Sequence, residues 1–188
     1  MGHLILAQTA CESYELAKVI FIPCANPPHK DGSALLSADH RLAMVQAAIE
    51  GDLRFEASDM EIARGGVSFA VDTVRQLHDA YPKADLHFII GTDTLLELYL
   101  WRDIDKLLSL CTFVAFARPG FEVTAMQTGD LHLPSPWGER LLAKVTRSRL
   151  IEISSSDIRH RIAEGLSIRY LVPAATEVYI SEHRLYGM

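Results

Sequence analysis

Apolar and polar positions follow two periods along this chain. Stretches with an apolar residue every third or fourth position are separated by short apolar runs of six to eight residues. Residues 3–16 have the helical spacing, and 18–23 (KVIFIP) read as a buried strand ending at Pro23. Asn26, Pro27 and Pro28 then forbid regular structure. Residues 38–50 predict a helix with Ser37 as N-cap and Gly51 just past its end. Residues 53–58 predict a strand, and 68–81 a helix opened by Ser68 and stopped by Pro82. The run 85–91 (DLHFIIG) is a strand closed by Gly91, with one or two short helices over 92–109. Residues 111–118 form the next buried strand, ended by Pro119-Gly120. A loop over 121–136, a helix near 137–146 and a last strand over 149–154 come next. Two helices, 155–165 and 173–187, complete the chain.

Strands alternating with helices predict an α/β protein with a doubly wound parallel sheet. At 188 residues, with no repeat or low-complexity tract, the expectation is one domain over 1–188 with a helical part from about 154. Apolar residues make up 49% and charged residues 22%, which excludes a disordered chain. A net charge of −6 excludes a generally basic nucleic-acid binder, so any anion must be met by locally gathered cations. Cys11, Cys24 and Cys111 are three, widely spaced, with no C-x-x-C pair, which fits a reducing cytoplasm better than zinc or disulfides. No apolar run reaches the roughly 18 residues of a membrane helix, and the first residues do not read as a signal peptide.

Ligands of doubly wound sheets bind at the carboxyl ends of the strands, so the chemistry should lie there. Those ends carry Pro27-Pro28-His29-Lys30, Gly91-Thr92-Asp93, Arg118-Pro119-Gly120 and Ser154-Ser155-Ser156-Asp157-Ile158-Arg159. Three serines opening a helix offer N–H groups and hydroxyls to one point, and Arg159 stands one turn in. That is either a phosphate cradle or a plain N-cap, since Ser154 with Asp157 approximates a capping box. Asp93 suits ribose hydroxyls or caps a turn. His29-Lys30 faces phosphate or solvent, and Trp101 stacks on a ligand ring or packs in the core. The remaining histidines lack metal-ligand spacing. Neither common nucleotide fingerprint nor the G-x-S-x-G elbow occurs.

Taken in order, GHLILA (2–7), IPCANPPHK (22–30), SFAVDT (68–73), FIIGTD (88–93) with Trp101, ARPG (117–120), ISSSDIR (153–159) and the tail from 170 to 186 form an ordered set. That set resembles bacterial nicotinate mononucleotide adenylyltransferase, within the Rossmann-like nucleotidylyltransferase superfamily. The family's G-x-F-D-P-x-H-x-G-H signature is matched only by Met1-Gly2-His3. Its first strand and first His have no counterpart. The expectation is that both are encoded upstream of Met1, and that the chain as written is poorly stable without a segment covering the gap. A natural form that has lost catalysis is the competing explanation.

The resemblance implies an enzyme that transfers the adenylyl group of ATP, with Mg²⁺, to nicotinate mononucleotide, giving deamido-NAD and pyrophosphate. It implies ATP contacts at Gly2, His3, Gly91, Asp93, Ser155, Ser156 and Arg159. His3, Lys30 and Arg159 would serve the transfer itself. His29, Lys30, Phe69, Thr73, Thr92, Trp101 and Arg118 would surround the second substrate, Trp101 stacking on the pyridine ring. Phe69 stands where the family often has Tyr. A sister enzyme acting on phosphopantetheine, and a nucleotide-binding protein without catalysis, remain as alternatives.

Overall fold

The computed structural model describes residues 1–28, 35–121, 123–146, 149 and 151–187, without the side chain of Val123. The described chain forms two compact units, Met1–Gly66 with Glu152–Met188, and Val67–Ile151.

The first unit opens with helix α1, Gly2–Tyr14, which buries Ala7, Ala10 and Cys11, an i, i+3, i+4 stripe. Strand β1, Val19–Phe21, pairs in parallel with β2, Phe55–Ala57, in the register Val19 to Phe55. Between them runs α2, Ala38–Ile49, whose N-cap Ser37 accepts a hydrogen bond from the His40 N–H at 3.3 Å. A short helix, α3, Met60–Arg64, was not legible in the sequence; five residues are too few to show a period. The unit also holds the two helices of the C-terminal stretch, labelled in chain order α8, Ser155–Ala163, and α9, Ala174–Glu182. Ile158, Ile162, Ile168, Ile180 and Leu185 form their common core. Helix α9 lies on α2, where the Tyr179 hydroxyl and His40 Nδ1 share a hydrogen bond of 2.9 Å.

The second unit is built on β3, His87–Gly91, and β4, Thr112–Phe116, parallel and in register from His87–Thr112 to Gly91–Phe116. Helix α4, Ala70–Ala80, precedes them, and α5, Thr92–Leu95, succeeds β3 without a loop. A 3₁₀ turn at Leu98–Leu100 and helix α6, Ile104–Leu110, return the chain to β4. After 3₁₀ turns at Val123–Ala125 and Thr128–Leu131 comes α7, Trp137–Ala143. Gly138 lets α7 approach that second turn, because a Cβ there would come within 2.8 Å of Thr128 Cγ2. The core is Val71, Val74, Ile90, Leu95, Leu98, Leu107, Leu108 and Phe113 with their neighbours. Each fully buried aliphatic side chain contributes about 1.5–3 kcal/mol.

Three local expectations are corrected. Helix α4 is capped by Phe69, not Ser68, and no side chain supplies the cap hydrogen bond. The predicted loop over 121–136 contains the two 3₁₀ turns. The strand expected over 149–154 does not form among its described residues. The chain instead touches β4 at one bridge, where the Thr146 N–H donates to the Ala115 carbonyl at 2.7 Å. A strand needs a continued run of such bonds, and among the described residues of this stretch this bridge stands alone. The strands are parallel, as expected, and their ladders form two pairs, one in each unit.

Candidate active site

In the first unit, Gly2 and His3 are the first two residues of α1, so they stand at a helix N-terminus, where backbone N–H groups lack partners within the helix. Ser154 caps α8, accepting from the Asp157 N–H at 3.0 Å. The capping reading of that serine is therefore realised, and the cap orients the first turn of α8. Ser155 and Ser156 are exposed in that turn, and Arg159 donates through Nη2 to Ser156 Oγ at 3.1 Å. Two serines, a guanidinium and the positive end of a nine-residue helix thus face one exposed place. Arg161, two residues on, is committed elsewhere: Nε and Nη2 donate to the Ser167 carbonyl at 3.0 and 2.9 Å. Of this pair, the sequence reading named Arg159 alone.

Tyr186 is half-buried nearby. Burial pushes its phenol upward, while the positive charges of Arg159 and Arg41 pull it down. Arg41 is a residue the sequence reading missed. It donates to the Leu36 carbonyl at 3.2 Å and to the Ala25 carbonyl at 3.1 Å. It therefore holds the described entrance of the Pro27-Pro28 loop. His29 and Lys30 lie outside the described residues.

In the second unit, Gly91, the last residue of β3, caps α5, so a strand end and a helix start coincide. Asp93 forms an ion pair with Arg118, which lies just beyond β4. The Arg118 N–H donates to Thr92 Oγ1 at 3.0 Å. Thr92 is fully buried, so its hydroxyl acts as a brace between the two strand ends. A Cβ at Gly91 would collide with the Asp93 carboxylate, and only glycine leaves that carboxylate where it is.

Trp101 packs edge-on against Phe88 at 5.7 Å between ring centroids, half-buried at the margin of the core. Phe69 lies at the start of α4, and buried Thr73 donates back to its carbonyl at 3.4 Å. The Arg102 guanidinium carbon sits 4.5 Å from the Phe69 ring centroid. Arg102 also escaped the sequence reading, although its position directly after Trp101 was a usable signal.

Burial pushes the Cys111 thiol up to about 12 and raises that of Cys11 as well, so neither is an activated nucleophile. Among the described residues, no three or more His, Cys, Asp or Glu side chains cluster closely enough to hold a metal ion. No described helix is long and apolar enough to cross a membrane. The described geometry offers anion donors and a carboxylate.

Residues 1–161 match the family model described as cytidylyltransferase-like. A "probable nicotinate-nucleotide adenylyltransferase" of Desulfitobacterium hafniense is 41% identical over 98% of this chain and 88% of its own length. One of the same name from Shouchella clausii is 42% identical over 100% of this chain and 90% of its own. The chain belongs to the nicotinate-nucleotide adenylyltransferase family. Its fold is that of a nicotinic acid mononucleotide adenylyltransferase of Plasmodium falciparum, solved with APC and with NaAD. The TM-score is 0.74 at 17% identity, covering 98% of this chain and 89% of that one.

Proposed function

We propose that this chain transfers the adenylyl group of ATP to nicotinate mononucleotide, releasing pyrophosphate and forming deamido-NAD in the cytoplasm. The observation that carries the reading is the 41% identity over 98% of the chain to a relative bearing that activity's name. A phosphate oxygen of the mononucleotide attacks the α-phosphorus of ATP. The new P–O bond forms as the bond to the β-phosphate oxygen breaks, and the electron pair leaves with pyrophosphate. The protein supplies no nucleophile, so its work is positioning and neutralising charge.

Each unit has its own share of that work. In the first, Ser155, Ser156 and Arg159, with Gly2 and His3 at the α1 N-terminus, bind the triphosphate, and Arg159 meets charge that grows on the departing phosphates. The family resemblance assigns Lys30 and His29 to the phosphates of the two substrates. In the second, Gly91 and Asp93 bind the adenosine ribose, Asp93 accepting from its hydroxyls. Arg118 holds that carboxylate in place, and Thr92 braces the Arg118 backbone. Trp101, Phe69 and Thr73 receive the pyridine. Mg²⁺ would accompany ATP and supply further neutralisation of phosphate charge.

The test is the purified chain with magnesium and ATP, offered nicotinate mononucleotide or phosphopantetheine in separate reactions. Pyrophosphate and deamido-NAD from the first alone are expected. Turnover of phosphopantetheine instead, or ATP binding by calorimetry without turnover of either, would overturn the reading.

A further inference from the structure

A cavity of about 580 Å³ opens at the amino ends of β3 and β4, wholly within the second unit. Gly91, Asp93 and Arg118 stand at the carboxyl ends of the same two strands. Each strand has five residues, so at about 3.3 Å per residue the two ends lie on the order of 13 Å apart. The cavity is thus separate from the groups described above. Its volume falls in the range of about 300–1,000 Å³ usual for small-molecule sites.

The lining divides into an apolar wall and a charged rim. Leu108, Phe113 and Leu141 are buried members of the core, and the half-buried Trp137 ring stands with them on the lining. Arg140 and Lys144 are exposed on the rim. Arg140 is in α7 and Lys144 is its C-cap, four positions on, so the two cations are neighbours on one face. The Arg140 guanidinium carbon sits 5.3 Å from the Trp137 ring centroid, which anchors the cation beside the indole. Asp85 and His87 also line the cavity, and His87 Nδ1 donates to the Asp85 carbonyl at 3.1 Å. Among the described residues, neither Arg140 nor Lys144 forms an ion pair, with Asp85 or with any other carboxylate. In a chain of net charge −6, two such cations side by side at a cavity make a local positive field.

This arrangement suits a ligand with two parts. An anionic group takes charge-assisted hydrogen bonds from Arg140 and Lys144. A flat ring covers Trp137 and the aliphatic wall and leaves water. A free anion satisfies the first part alone, and a neutral ring the second alone. The Asp85 carboxylate adds an acceptor for a hydroxyl or amino group of the same ligand.

We propose that this cavity is a second binding site, taking a nucleoside monophosphate with its phosphate on Arg140 and Lys144 and its base against Trp137. The site is independent of the adenylyl transfer proposed above.

The experiment uses the chain's two tryptophans, Trp101 and Trp137, whose indole N–H resonances report the two places separately. Trp137→Phe assigns the signals. AMP titrated into the unmodified chain should move the Trp137 resonance saturably, with a Kd of about 1 mM or tighter. Adenosine and inorganic phosphate, titrated separately, should bind there at least about tenfold more weakly. The double variant Arg140→Gln, Lys144→Gln should lose about tenfold or more in AMP affinity at Trp137, with its thermal melt unchanged. Lys144→Gln alone, which keeps Arg140 on the indole, should lose part of that affinity, and Lys144→Arg should retain it. A Trp137 resonance that AMP leaves in place, including a response confined to Trp101, would overturn the inference. So would inorganic phosphate binding as tightly as AMP, which would mark a loose cationic patch. Should the double variant melt early, Lys144→Gln decides, and an unchanged AMP affinity there overturns the site. Failure of adenylyl transfer in the reaction test would leave these outcomes untouched.

Discussion

Gly91 and Asp93 show how one missing side chain sets up another. The clash that a Cβ at 91 would make is with the end of a movable side chain, so Gly91→Ala leaves the backbone unstrained. The expected result is a thermal melt close to that of the unmodified protein, with ATP affinity reduced about tenfold or more by displacement of the carboxylate. Loss of folding without a separate binding defect would contradict this. A second residue pair gives a test of electrostatics away from the site. Asp52 Oδ1 accepts from the Arg54 N–H and Nε, both at 3.0 Å, and Oδ2 accepts from Nη2 at 2.7 Å. Those bonds hold the half-buried carboxyl down at about 2, against its ordinary 3.8. Because the folded value is depressed, the pair's contribution is complete above the ordinary value. It is lost as pH falls from there through about 2. Carboxyl titration by NMR should place Asp52 near that lower value. Arg54→Ala should return it towards 3.8.

At the scale of elements, α8 carries its cap and the proposed triphosphate site at the same end. Ser154→Ala removes the cap hydrogen bond and is expected to cost about 1 kcal/mol in denaturant unfolding. Loosening the first turn also blurs the positions of Ser155 and Ser156, so triphosphate affinity should fall with it, while Ser154→Asn restores both. Much of this element was visible beforehand. Serines before an apolar helical period and Gly165 after it mark both ends, and Gly165 does take a left-handed φ of 68°. The helix 38–50 and the strand 85–91 were legible for the same reason, since a period and its stop signals are local properties. That the strand expected at 149–154 would not form among its described residues was not legible. Its apolar run satisfies strand chemistry, but a strand exists only through its neighbour, and pairing is decided far away in sequence. Arg41, Arg102 and the Asp93–Arg118 pair were hidden likewise. Ordered motifs told which residue types stand at the strand ends, and only coordinates told which of them touch.

For the whole molecule, the two units differ in how their strands are secured. The β3–β4 ladder runs five residues and is backed by Leu95, Leu98 and Leu107, all fully buried. The β1–β2 ladder runs three residues, and neither strand has a buried residue. Native-state hydrogen exchange should therefore find the slowest amides in β3, β4 and α6, and much faster exchange in β1 and β2. Leu107→Ala should cost about 2–5 kcal/mol and raise exchange chiefly in the second unit. Equal protection of both ladders would count against this ranking.

The Asp93–Arg118 pair carries a consequence for substrate discrimination. The carboxylate proposed to greet the ribose already has a partner, so an incoming sugar competes with an internal ligand instead of filling an empty seat. A nucleotide with both hydroxyls recovers what the displaced or shared guanidinium gives up; a deoxynucleotide recovers only part. The site should thus reject deoxy-ATP more steeply than one lost hydrogen bond implies, and Arg118→Ala should flatten that preference even as it weakens binding of both.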